Sequence, residues 1–199
     1  MANTVRRGLF HALATLLFPL SSFFLSRTVF LVGTAAILVA LLVLELLRLR
    51  FATINRWFIF FFRPVMRERE FTTLAASIYI SLSALIAFLL FEKEVAIVAI
   101  CFLAVGDPLS GIVGNRFGRR RIFNKSMEGH LTCFLSSLVV GLVLSWSILD
   151  ISPLVVLIGA FSAAFIQALP LPLNDNLTIP LFSGLCMSLA RMLYGIAAS

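Results

Sequence analysis

Polar positions along this chain are confined to short intervals between seven long apolar runs: residues 8–25, 28–47, 71–91, 95–114, 131–149, 152–172 and 176–197. Crossing a hydrocarbon core of about 30 Å takes roughly 20 helical residues, so each run predicts a transmembrane helix. Membrane-spanning strands would alternate polar and apolar residues, and no segment does. The second and fifth runs are apolar on every face. Between the second and third, residues 51–66 break the pattern: Trp57, Phe58, Phe60, Phe61 and Phe62 are interrupted by Asn55, Arg56 and Arg63. That mixture predicts a segment lying in the membrane interface. The expected fold class is all-α, a polytopic bundle of about seven transmembrane helices forming a single integral membrane domain over residues 1–199.

Composition agrees. The chain is 61% hydrophobic with a mean hydropathy of +1.07, and only 13% of residues are charged, against about 25% in a soluble domain. The first run follows Arg6 and Arg7, as a signal peptide would, but it is longer than an h-region and lacks a small-x-small cleavage site. It is read as helix one. Cys101, Cys133 and Cys186 each fall inside a span, without the short spacing of a metal or redox site, and are read as packing residues.

Charge fixes the orientation. With a cytoplasmic amino terminus, the inner segments hold Arg6, Arg7, Arg48, Arg50, Arg56, Arg63, Arg67, Arg69, Arg116, Arg119, Arg120, Arg121 and Lys125, thirteen basic residues against Arg27 and Lys93 outside. The positive-inside rule therefore accounts for nearly all of the net charge of +7 and leaves no need for nucleic acid as a partner. In this orientation helices one, three, five and seven present their amino-terminal ends on the cytoplasmic side. Each end carries free N–H groups and about half a positive charge, a setting suited to polyanions such as a triphosphate. The expected location is an integral membrane, the plasma or inner membrane in a prokaryote, with the active site facing the cytoplasm.

The densest chemistry runs from Gly106 to Arg121. Asp107 lies eight residues before Asn115, which buries its carboxylate about 12 Å along the helix axis. Carboxylates inside a membrane are costly and usually face a cavity or a partner, and Pro108 removes a backbone donor beside it. The alternative is a structural aspartate paired with an arginine. Gly111, Gly114 and Gly118 fall near the face of Asp107 and admit either a ligand or a packed helix.

Downstream, Ser126 is placed to cap helix five and Lys125 to meet a phosphate at that helix start. A Gly-x-x-x-x-Gly-Lys-Ser/Thr loop is absent, which argues against a soluble P-loop fold. Asp175 and Asn176 offer the oxygen ligands that magnesium prefers, or else serve as helix caps. Arg7 and His11 sit four apart on one helical face, and both can donate to phosphate oxygens. Glu70 opens the third run. Glu45, three before Arg48, reads as half of a local salt bridge.

Together these segments resemble the membrane kinase family that includes dolichol kinase, phytol kinase and CTP-dependent diacylglycerol kinase. The resemblance rests on Gly106-Asp107-Pro108 with its glycine series, then Lys125-Ser126-x-Glu128-Gly129, then Leu169-Pro170 with Asp175-Asn176-Leu177-Thr178-Ile179-Pro180. Arg7, His11 and Glu70 match looser features. The chain departs from the family pattern at Gly8, where a basic residue is common, and at Gln167, where glutamate is expected.

The resemblance implies phosphoryl transfer from a nucleoside triphosphate, CTP, to the hydroxyl of a lipid such as diacylglycerol, phytol or a polyprenol, with magnesium. It implies that Asp107, Asp175 and Asn176 hold the metal or orient the hydroxyl, with Glu70 and Glu128 as further base or metal groups. The loop from Arg116 to Gly129 would hold the nucleotide through Gly111, Gly114, Asn115, Gly118, Arg119, Arg120, Arg121, Lys125, Ser126 and Gly129, assisted by Arg7 and His11. One alternative is a phosphatidate cytidylyltransferase, whose Lys/Arg- and Asp-rich carboxy-terminal signature is missing. Another is a transporter with a helix broken at Asp107-Pro108, which no internal repeat supports.

Overall fold

Proline, charge and small residues decide where the apolar runs become helices. The computed structural model describes the backbone of residues 2–66, 68–122 and 125–198, and the side chains of these except 2, 3, 69, 122, 125 and 194–198. Its helices are α1 (Ala2–Phe24), α2 (Arg27–Arg50), α3 (Ala52–Phe62), α4 (Ala76–Leu90), α5 (Lys93–Cys101), α6 (Asp107–Phe117), α7 (Met127–Ser147), α8 (Pro153–Ala168) and α9 (Asp175–Ala198). A 3-10 turn covers Glu68–Phe71. The one departure from helix among the described elements is a two-residue antiparallel ladder, β1 (Arg121–Ile122) with β2 (Lys125–Ser126).

Among the described residues, five helical segments are long and apolar enough to cross a membrane: Thr4–Phe24, Arg27–Arg50, Lys93–Phe117, Met127–Ser147 and Asp175–Leu193. The third and sixth runs yield shorter helices than expected, α4 with 15 residues and α8 with 16, or about 22–24 Å. Both were truncated by local chemistry. Ahead of α4, the backbone of residues 70–75 is held by Arg48 and Glu45 rather than by helical bonds. At the end of α8, Leu169 precedes Pro170 and is extended at φ −73°, ψ 138°, as a residue before proline is pushed to be. The chain after it no longer belongs to the span.

The fourth run is continuous but not uniform. Residues Phe102–Gly106 form a π-helical turn between α5 and α6. Pro108 has no N–H for the Ala104 carbonyl and its ring crowds that oxygen; widening the turn relieves the clash, and such turns often mark functional sites. This segment is also the centre of the bundle. Every side chain from Val95 to Ala104 is buried, with α1, α4, α7, α8 and α9 around it. Phe102 fits because α7 and α8 offer glycines: a Cβ on Gly141 or Gly159 would meet its ring at 3.0 and 2.9 Å.

Helix α3 buries none of its residues, consistent with the interfacial reading of 51–66. At the far end of the bundle, Arg191 pairs with Glu92 at 2.8 Å and Glu94 at 3.6 Å, which accounts for an arginine inside the seventh run.

Candidate active site

A cavity of about 800 Å³ opens at the end of the bundle that carries Arg7 and Arg121. Its walls come from one side of α1 and α2 along much of their length, the first turns of α4, α7 and α9, the face of α6 and the last turn of α8. The four helix starts anticipated from the topology do converge here. They are not bare. The Ser126 hydroxyl accepts from Gly129 N at 3.1 Å, the Asn174 side chain accepts from Asn176 N at 3.1 Å, and Glu45 accepts from Ala75 N at 3.0 Å. Ser126 thus caps α7 as its sequence position predicts. Asn174 does the capping of α9, which leaves Asp175 and Asn176 in the first turn against the cavity.

Asp107 lies just past the π turn, partly buried, and lines the cavity. Its Oδ1 accepts from Gln167 Nε2 at 3.2 Å, and the same amide donates to Ser110 Oγ at 2.8 Å. Among the described residues no arginine pairs with Asp107, so the reading of a structural Asp–Arg pair finds no partner. Gln167, singled out in the sequence only as a departure, proves to be the neighbour of the central carboxylate. Ser110 and His130 were not anticipated. His130 lies four residues after Ser126 and hence on the same face of α7, a spacing that would have revealed it.

Twelve of the predicted site residues line this one cavity: Arg7, His11, Glu70, Asp107, Gly111, Gly114, Asn115, Arg121, Ser126, Gly129, Asp175 and Asn176. The helix begins at Ala2, so Arg7 and His11 sit in its second and third turns rather than at its start. The glycines divide by role. A Cβ on Gly111 would meet nothing within 4 Å, so this residue faces open cavity. A Cβ on Gly114 would lie 2.7 Å from Ser126 Oγ, and one on Gly129 would lie 3.0 Å from the Ser110 carbonyl. These two let α6 and α7 touch. Gly118 lies outside the lining, pressed against Ser126 and the Gly114 carbonyl.

Glu128 also lies outside the lining. Its carboxylate accepts from Arg119 N at 3.1 Å and so ties the loop after α6 to the first turn of α7. Arg119 and Arg120 are exposed and lie outside the lining. The Lys125 side chain lies outside the described residues, although its backbone pairs with Ile122. Gly8, the other departure, packs against Pro108 and Ile112, where a Cβ would touch at 3.4 Å.

Beneath Glu70 lies a buried ion pair. Arg48 is 0% exposed and Glu45 2%. Arg48 donates to both Glu45 carboxylate oxygens at 2.8 and 2.7 Å, to the Asn55 side chain at 3.1 Å, and to the Glu70 and Thr73 carbonyls at 2.9 and 2.7 Å. This bears out the salt-bridge reading of Glu45 and adds a function to it: the pair pins the segment that carries Glu70.

Among the described residues, no three His, Cys, Asp or Glu side chains form a metal cluster. Magnesium needs no such cage, since it is usually held by one or two carboxylates together with substrate phosphates. Two aspartates and an asparagine in the lining of the same cavity are oxygen donors of a fitting kind.

The chain is 26% identical over 182 residues to an uncharacterized protein of Rickettsia prowazekii, covering 88% of this chain and 89% of that one. It is 35% identical over 97 residues to phytol kinase of Synechocystis, covering 45% and 42%, and 24% identical over 178 residues to CTP-dependent diacylglycerol kinase 1 of Saccharomyces cerevisiae, covering 75% and 60%. The aligned segments span less than two thirds of these kinases' own length. No protein-family model matches the chain, and no solved structure does. The relatives with a named activity are lipid kinases, in agreement with the resemblance read from the motifs, and with its apolar helices the chain is that of an integral membrane protein.

Proposed function

We propose that this protein is a membrane lipid kinase that transfers the terminal phosphoryl group of a nucleoside triphosphate, CTP, to the hydroxyl of a lipid such as diacylglycerol, phytol or a polyprenol. The observation that carries the reading is the union, in one cavity, of three motifs far apart in sequence, around Asp107, Ser126 and Asp175. Phosphoryl transfer asks mainly for positioning and charge neutralisation, which fits carboxylates and cations facing one another.

Asp107 and Asp175, with Asn176, would hold magnesium, which when bound neutralises charge developing on the phosphates. Arg7, His11 and Arg121, all in the lining, bind phosphate oxygens, with Arg119, Arg120 and Lys125 at the loop. Glu70 takes the proton of the lipid hydroxyl as its oxygen forms a bond to the γ-phosphorus; the bond from that phosphorus to the bridging oxygen breaks, and CDP leaves. Gln167 orients Asp107 by donating to one of its oxygens. Glu128 acts on the loop rather than on the reacting atoms. The reading further takes all seven apolar helices as spanning, with the amino terminus and the cavity on the cytoplasmic side.

Purified protein with labelled CTP or ATP, magnesium and a panel of lipid alcohols tests this. The expected products are a phosphorylated lipid and CDP, with loss of turnover in a chelator. Release of pyrophosphate with phosphatidate as acceptor would instead identify a cytidylyltransferase. Asp107→Asn should cut turnover by about a thousandfold, close to 4 kcal/mol of barrier, while the protein still inserts; near-wild-type activity would remove Asp107 from its role.

A further inference from the structure

The cavity does not end at the polar chamber. It continues between α1 and α2, lined by Ala14 and Phe18 on α1, by Leu25 just past its end, and by Gly33, Ile37 and Leu41 on α2. Each set recurs every three to four residues or a multiple of that, so each is a single stripe along its helix. Helices joined by only Leu25 and Ser26 would ordinarily close such stripes on each other. Here α1 packs chiefly on α5 and α6, and α2 on α3 and α4. The two stripes are left facing a gap. Gly33 is exposed and faces open space: a Cβ there would meet nothing within 4 Å. Ser21, also on this wall, turns its hydroxyl back onto the Phe18 carbonyl at 3.0 Å and so presents little polarity to the gap.

We infer that this slot seats a single hydrocarbon chain of the lipid alcohol and has room for main chains of at least about fifteen carbons. The length follows from the helix. Gly33 lies twelve residues from Glu45 at the polar end, or about 18 Å. An extended chain advances roughly 1.2 Å per bond, since three backbone bonds span about 3.5 Å, so about fifteen bonds reach Gly33. One stripe on each wall leaves room for one chain, and continuity with the chamber at Asp107 places the alcohol end beside the phosphates. The inference rests on the lipid-kinase reading for the reaction at that end, but the seat of the chain can be measured without turnover.

In membranes without nucleotide, a long-chain alcohol of about sixteen carbons with a terminal diazirine should label residues 14–25 and 30–41. Phosphatidylcholine carrying the same diazirine should not label them preferentially. In turnover assays Gly33→Phe should lower kcat/KM for alcohols of about sixteen main-chain carbons by about tenfold or more, as buried methylene contacts are lost, and leave eight-carbon alcohols nearly unchanged. Ile37→Trp, eight residues from Glu45 and so about 12 Å deep, should move the cutoff to about ten carbons. Equal labelling by phosphatidylcholine, or an equal loss at every chain length, would overturn the slot. If no alcohol is phosphorylated by the wild type, the kinase reading fails, and the labelling pattern still decides the slot.

Discussion

Arg48→Met breaks the buried ion pair and leaves the Glu45 carboxylate, 2% exposed, with its main charge partner gone. Removing one member of a buried pair costs about 3–5 kcal/mol, because the desolvated charge that remains is uncompensated. At roughly 2–4 °C per kcal/mol for a chain of this size, the thermal midpoint in detergent should fall by roughly 6–20 °C. Replacing both charges, Glu45→Met with Arg48→Met, should recover much of this, since a buried pair is often worth little more than well-packed apolar side chains. Recovery should be incomplete. The Ala75 N–H and the Glu70 and Thr73 carbonyls lose partners that the pair supplied, each worth about 1 kcal/mol. Kinase activity should stay low in the double variant even where stability returns, because the segment carrying Glu70 is no longer held. Thermal melts followed by intrinsic fluorescence, together with turnover on the same samples, give both readouts. A single variant costing under about 1 kcal/mol, or a double variant of full activity, would refute the reasoning.

Gly111→Val should fold, because its Cβ enters open space and valine is no worse than glycine in a helix. It should raise the nucleotide KM by filling the chamber, and Gly111→Phe should raise it further; unchanged KM in both would remove the nucleotide from this wall. Ser126→Ala deletes the cap on Gly129 N and should cost about 1 kcal/mol, read as a drop of a few degrees in the same melts. No change would mean that another group caps α7.

The apolar runs alone determined that this chain lives in lipid and where most of its helices lie, because a hydrocarbon core tolerates little else. The asymmetry of arginines likewise predicted which end would hold the chemistry, and Asp107, Ser126 and Asp175 with Asn176 were legible because charges and caps stand out against so apolar a background. What hydropathy could not rank was position within the bundle. The runs that are apolar on every face gave α2 and α7, each only 22% buried over its membrane-length window, whereas the segment Lys93–Phe117 is 67% buried and central. In a membrane both lipid and protein interior are apolar, so only packing against small residues such as Gly141 and Gly159 separates them. The pairing of Gln167 with Asp107, sixty residues apart, and the gap between α1 and α2 were likewise decided only by tertiary structure. Each depends on which helix faces meet, and a side chain's reach is not written in its own segment.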